Sequence, residues 1–271
     1  MTLVRAVAVL AALAVSFTVA AQKFEPQVGQ AGKDVIWVPT PDEVVDRMLT
    51  MAQVGPNDFH MDLGSGDGKI VIAAAKRGAK ALGIEYNPDM VKLAQDNAQK
   101  AGVADKASFR RADIFQTDFS QATVITLYLL PALNMKLRPQ LLSMKPGTRV
   151  VSHSFTMEDW EADEISTMDG RRGYFWVVPA NVMGSWALDT GGQKTELALE
   201  QTFQKINGTV ALGAVHGGLR EARLRGAQIA FAYVDDKGMR RDFTGQVNGR
   251  QMQGTFRDDK GQSGSWSATK K

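Results

Sequence analysis

The spacing of apolar residues changes rhythm once along this 271-residue chain. Between Trp37 and about residue 173, short apolar runs alternate with stretches whose apolar positions recur every third or fourth residue. The first helical stretch opens at Pro41 behind Thr40, a residue type that caps helices, and carries Val44, Val45, Met48 and Leu49 on one face. Short apolar runs at 59–63, 79–85, 107–110, 122–129 and 149–153 read as strands, with helices over 71–77, 90–101 and 135–142 between them. Asn87-Pro88-Asp89 is a capped helix start and Gly102 a helix stop. Strands alternating with helices predict an α/β domain built on a mostly parallel sheet with right-handed crossovers.

From about Tyr174 the period becomes two. Leu197, Leu199 and Phe203 share one parity, as do Ala227, Ile229, Phe231 and Tyr233. The same holds for Phe243, Gly245 and Val247, for Met252, Gly254 and Phe256, and for Gly264, Trp266 and Ala268. Turn dipeptides recur at Asn207-Gly208, Lys237-Gly238, Asn248-Gly249 and Lys260-Gly261. The pattern predicts an antiparallel meander of about seven or eight strands, closed or nearly closed into a small barrel and filled by its own side chains. Two folding units follow, over 34–170 and 174–271. A chain ending between Asp169 and Gly173 is expected to keep the first unit whole.

The first strand runs into Asp62-Leu63-Gly64-Ser65-Gly66-Asp67-Gly68-Lys69-Ile70, and the second ends in Gly83-Ile84-Glu85. Glycines between a strand and a helix let a ligand approach the backbone closely. Glu85 stands 21 positions after Gly64, and an acid about 20 residues beyond such a loop accepts hydrogen bonds from ribose hydroxyls. A dinucleotide site needs G-x-G-x-x-G, and Lys69 occupies the third glycine position. The combination resembles motif I and the ribose acid of class I S-adenosyl-L-methionine (SAM) methyltransferases, which implies a Rossmann-like fold and SAM as cofactor. On that resemblance the loop Gly64-Ser65-Gly66 approaches the ligand, with the methionine carboxylate at the helix N-terminus after Gly68. Asp62 takes the ammonium and Glu85 the ribose hydroxyls. Asp113 meets the adenine amino group, and Tyr86 and Ile114 flank the ring. A turn or capping aspartate is the alternative for Asp113.

Val38-Pro39-Thr40-Pro41, the run 122–131 and the run 145–153 together resemble one branch of the seven-strand enzymes, the archaeal and mitochondrial protein lysine methyltransferases. The resemblance covers roughly residues 37–155 and implies a protein lysine as acceptor. Tyr128, at the end of the fourth strand, would line the methyl-transfer channel; a buried strand tyrosine is the other reading. His153 is a further candidate, or a structural histidine. Methyl transfer to a lone pair needs chiefly proximity and alignment. A lysine must first lose its proton, and a dry channel opposes the charged form.

Composition adds the boundaries. Hydrophobic residues make up 44% and charged residues 23%, enough to build ordinary cores. A net charge of +3 without like-charge blocks argues against a nucleic-acid partner. The absence of cysteine excludes disulfides, a thiol nucleophile and cysteine-ligated zinc. One positive charge, the apolar run 6–20 and small residues at 18–21 read as a secretory signal peptide over 1–21, hence a periplasmic or secreted protein. An uncleaved membrane anchor is the alternative. Export of a SAM enzyme leaves a second reading open, a binding protein that keeps the nucleoside fold without turnover. A third makes the β-domain, with a lipid or protein ligand, the working part.

Overall fold

The computed structural model describes residues 24–271, so the expected signal segment lies outside the described residues. Helix α1 (Asp42–Met51) buries Val44, Val45, Met48 and Leu49, the face that their spacing predicts. Thr40 is not its cap. The Thr40 Oγ1 instead meets His153 Nδ1 at 3.2 Å, and Asp42 and Glu43 in the first turn offset the helix dipole.

The α/β series continues as β1 (Phe59–Leu63), α2 (Lys69–Lys76), β2 (Lys80–Glu85), α3 (Pro88–Lys100), β3 (Ala107–Arg111), β4 (Val124–Leu127), α4 (Pro131–Leu142) and β5 (Arg149–His153). Asn87 caps α3, its Oδ1 accepting from the N–H groups of Asp89 and Met90. Two further strands, β6 (Glu164–Met168) and β7 (Arg171–Val177), complete a seven-stranded sheet in the order β3-β2-β1-β4-β5-β7-β6. Strands β1 to β5 are parallel, and β7 runs antiparallel to both β5 and β6. The order reverses at β1, which pairs with β2 on one side and β4 on the other. A crevice therefore opens beyond the carboxyl ends of β1 and β4, where such sheets bind ligands.

Strand β7 moves the boundary between the units. Tyr174 lies inside β7, paired with Ser152 of β5, so the expected cut between Asp169 and Gly173 would remove a strand from the first sheet. Strand β7 is buried at five positions in succession and has no alternation of its own; the period of two belongs to the second unit, which begins after Val178.

That unit holds β8 (Gly184–Asp189), β9 (Lys194–Thr202), β10 (Lys205–Leu212), β11 (Val215–Gly218), β12 (Arg220–Arg225), β13 (Gln228–Val234), β14 (Arg240–Asn248), β15 (Gln251–Asp258) and β16 (Ser263–Lys270). The nine strands form one antiparallel sheet, β11-β10-β9-β8-β16-β15-β14-β13-β12. Its ends curl together: β12 lies against β10, and Leu219 N–H donates to Gly208 O at 2.9 Å. The barrel is nearly closed, and its own side chains fill it. Phe231 stacks on Phe243 at 4.8 Å, and Trp266 meets both rings edge-on.

Three of the four expected turns fall between strands. Asn207-Gly208 does not, because both residues lie within β10, opposite Glu200 and Leu199. A Cβ on Gly208 would sit 2.1 Å from Ala198 O, so this glycine marks a close backbone approach rather than a reversal. The actual turn is Phe203-Gln204, with Phe203 at φ +54°. It docks the barrel on the first domain. Phe203 stacks on the buried Trp160 at 6.1 Å, the Arg138 guanidinium covers the Phe203 ring, and Gln204 Nε2 donates to Glu161 O at 2.7 Å.

Candidate active site

A cavity of about 360 Å³ occupies the crevice at the ends of β1, β2 and β4. Nine of the ten residues singled out from the sequence line it: Asp62, Gly64, Ser65, Gly66, Glu85 and Tyr86, then Asp113, Ile114 and Tyr128; the tenth, His153, stands behind Tyr128 instead.

The glycine turn shapes the floor. Gly64 and Gly66 adopt φ of +89° and +52°, values that favour glycine. A Cβ on Gly66 would come within 2.7 Å of Trp37 Nε1. Most donors of the loop are satisfied internally. The Gly64 and Ser65 N–H groups donate to Ile84 O, Gly66 N–H to Glu85 Oε2 at 3.0 Å, and Lys69 N–H to Asp67 Oδ1 at 3.3 Å. Asp67 therefore takes one of the α2 donors that the sequence left for a ligand carboxylate. The loop serves mainly by its lack of Cβ atoms. Ser65 Oγ is buried without a protein partner.

Carboxylates surround this floor. Glu85, at the end of β2, also accepts from Asn87 N–H through Oε1 at 2.9 Å, tying the loop to the start of α3. Asp62 is 2% exposed at the end of β1. It accepts from Thr126 Oγ1 at 2.6 Å. Burial, reinforced by the charges of Glu85 and Asp67, pushes its pKa up to about 7 against the pull of Thr126. Asp113 forms an Asx turn, Oδ1 accepting from Phe115 N–H at 2.9 Å, and pairs through Oδ2 with Lys33 Nζ at 3.0 Å. Those two bonds hold its pKa below the usual carboxylate value.

The opposite wall is aromatic. Tyr128 packs on His153 with ring centroids 4.0 Å apart and faces Phe155 at 6.2 Å. His153 bonds Thr40, and burial lowers its pKa to about 4, so it is a neutral ring at physiological pH. Asn134 of α4 steadies the segment that carries Phe155, its Nδ2 donating to Thr156 O at 3.1 Å.

Residues that sequence reasoning passed over come largely from the lead before α1. The segment of residues 30–40 folds over the cavity through an Ala31–Ile36 bridge. Lys33 reaches Asp113 across 80 positions and lies 5.3 Å from the centre of the Tyr86 ring. This polar stretch carries no periodicity to announce it. Phe155 likewise sits in a loop without pattern.

The arrangement suits a nucleoside that carries positive charge. Acids outnumber bases around a largely apolar cavity, and a buried serine hydroxyl and carboxylate stand where polar ligand groups must be met. This chemistry fits SAM, whose sulfonium and ammonium are cationic. When bound, SAM supplies an electrophilic methyl group. The fold and the site define a class I SAM-dependent methyltransferase.

The ANTKMT methyltransferase domain family matches residues 62–164. A protein-lysine N-methyltransferase of Saccharolobus islandicus is 46% identical over 134 residues, which span 48% of this chain and 83% of that protein. The adenine nucleotide translocase lysine N-methyltransferase of Mus musculus is 34% identical over 119 residues, 43% of this chain and 52% of the relative. Among solved structures, an RNA methyltransferase from Salinibacter ruber in complex with S-adenosyl-L-homocysteine is 52% identical, with a TM-score of 0.52. It covers 54% of this chain, which in turn covers 96% of it. The chain belongs to this methyltransferase family and is a SAM-dependent enzyme.

Proposed function

We propose that the enzyme methylates a protein lysine. In this reading Glu85 holds the ribose hydroxyls, Asp62 the ammonium and Asp113 the adenine amino group. Tyr86 and Ile114 flank the adenine ring, and the Gly64-Ser65-Gly66 turn lies under the amino-acid end. Tyr128 lines the channel through which the acceptor nitrogen enters. The carrying observation is the apolar, aromatic wall of Tyr128, Phe155 and Leu129 beside the acidic floor. An aliphatic lysine stem packs against such a wall. A desolvated ammonium there loses its proton more readily than its free pKa of about 10.4 allows, and alignment supplies most of the rest. Relatives named as lysine methyltransferases support this acceptor.

RNA is the second reading, favoured by the name of the Salinibacter ruber structure. A small net charge of +3 weighs against it. The full chain, incubated with methyl-tritiated SAM and an extract of its source cells, should transfer label to material destroyed by protease and recovered as methyl-lysine after hydrolysis. Label removed by ribonuclease would replace lysine with RNA.

The segment 1–21 remains the basis for export to the periplasm or beyond, with cleavage near Ala20 or Ala21, or for anchorage if it is kept. Among the described residues no helix is long and apolar enough to cross a membrane. N-terminal sequencing of native protein beginning at Gln22 or close to it supports cleavage, and a start at Met1 or Thr2 refutes it.

A further inference from the structure

Behind Asp62 stands a polar pair that methyl transfer does not itself require. In register, Asp62 of β1 faces Thr126 of β4, and His60 lies two positions earlier on the same face of β1. His60 and Thr126 are fully buried. His60 Nε2 lies 2.9 Å from Thr126 Oγ1, which lies 2.6 Å from Asp62 Oδ1.

A threonine hydroxyl carries one proton, and an ionised carboxylate only accepts. With Asp62 charged, the shorter contact uses the Thr126 proton. The longer contact must then run from His60 Nε2–H to Thr126 Oγ1. His60 is thereby a neutral ring protonated at Nε2, and its buried Nδ1 has no partner. Burial supports that neutrality by pulling the His60 pKa down to about 3, against the weaker opposite effect of Asp58. Every donor in the chain points toward Asp62, the order that favours its charged form.

We propose that His60 and Thr126 are positioning residues for the amino-acid end of the cofactor, holding Asp62 in one orientation and in the charged form that a ligand ammonium needs. The proposal rests on the placement of Asp62 against that ammonium. The opposing influences are burial and the carboxylates of Glu85, at the end of β2, and Asp67, in the loop before α2. Lys69 lines the same cavity but is drawn to Asp42 at 2.9 Å. Asp58, in the turn just before β1, is paired with Arg149.

The test is calorimetric titration of the full chain with SAM between pH 5.5 and 9, with methylthioadenosine, which lacks the amino-acid end, as second probe. Wild-type affinity for SAM should rise with pH through about 7 as Asp62 ionises. It should fall again as the ligand amine, with a pKa of about 8, loses its proton. Thr126→Val keeps the shape and deletes the hydroxyl. Its acid limb should move up by about one pH unit, so that affinity falls roughly tenfold at pH 6 and little at pH 8.5. The basic limb should stay. His60→Leu should shift the acid limb the same way by less, and His60→Gln, which keeps a donor for Thr126, should restore it. Methylthioadenosine should bind all variants alike, without an acid limb. An unmoved acid limb in both Thr126→Val and His60→Leu overturns the proposal, as does equal weakening of SAM and methylthioadenosine. If wild type binds SAM without an acid limb of its own, the placement of Asp62 falls and the proposal falls with it.

Discussion

Replacing Glu85 with Ala removes a carboxylate asked to do two jobs. In the protein alone it joins the glycine turn to α3 through Gly66 N–H at 3.0 Å and Asn87 N–H at 2.9 Å. A hydrogen bond to a charged group is worth about 1.5–3 kcal/mol when lost. Glu85 is half-buried, so solvent screening sets the lower end of that range and the pair should cost about 3 kcal/mol of stability. The ligand sees a further loss. Two ribose hydroxyls each give up a charged acceptor, about 3 kcal/mol together after the same discount. That corresponds to on the order of 100-fold in SAM affinity. Calorimetry with SAM measures the second quantity and denaturant unfolding of the unliganded protein the first. A folded Glu85→Ala variant that binds SAM within threefold of wild type would refute the ribose assignment. If stability falls and affinity does not, Glu85 is a clamp for the loop and nothing more.

Three other outcomes follow from the packing. His60 is held neutral to about pH 3 in the folded protein, whereas an unfolded imidazole takes its proton near 6.5. Its contribution is therefore complete above pH 6.5 and lost as pH falls, and His60→Leu should flatten the stability profile by about 1.4 kcal/mol per pH unit between pH 4 and 6; denaturant titrations giving equal slopes would refute the burial argument. Phe203→Ala should cost about 2–3 kcal/mol and speed amide exchange over residues 155–163, which Trp160 and Arg138 hold against that ring; unchanged exchange there would mean that the barrel does not brace this segment. A Cβ at Gly83 would lie 2.5 Å from Ser65 Oγ and 2.6 Å from Phe109 Cδ1, so Gly83→Ala should cost about 1–3 kcal/mol and weaken SAM binding by displacing Ser65; full SAM affinity in the variant would show that the turn adapts.

Local chemistry alone determined a good deal of this protein. Spacing of three to four placed α1 and α3 because each buries one stripe, and apolar runs marked β1, β2 and β5 because their residues are buried almost throughout. The glycine turn and its distant acid were legible because close backbone approach admits few residue types. Strand β6 was not, because it lies at the sheet edge and its side chains are mostly exposed, leaving no alternation to read. Strand β7 was assigned to the wrong unit, since an apolar run marks a strand and not the sheet it joins. Asn207-Gly208 misled for a related reason: a glycine wanted for backbone clearance looks, in sequence, like a glycine wanted for a turn. Only the tertiary structure brought Lys33 to Asp113, Thr40 to His153, Phe155 to Tyr128 and Phe203 to Trp160. Such contacts join residues far apart in the chain or held in loops, and nothing in their local pattern encodes a partner. The chemistry of a position is written in its residue type, but which positions share a cavity is decided by the crossing of strands and the docking of one sheet on another.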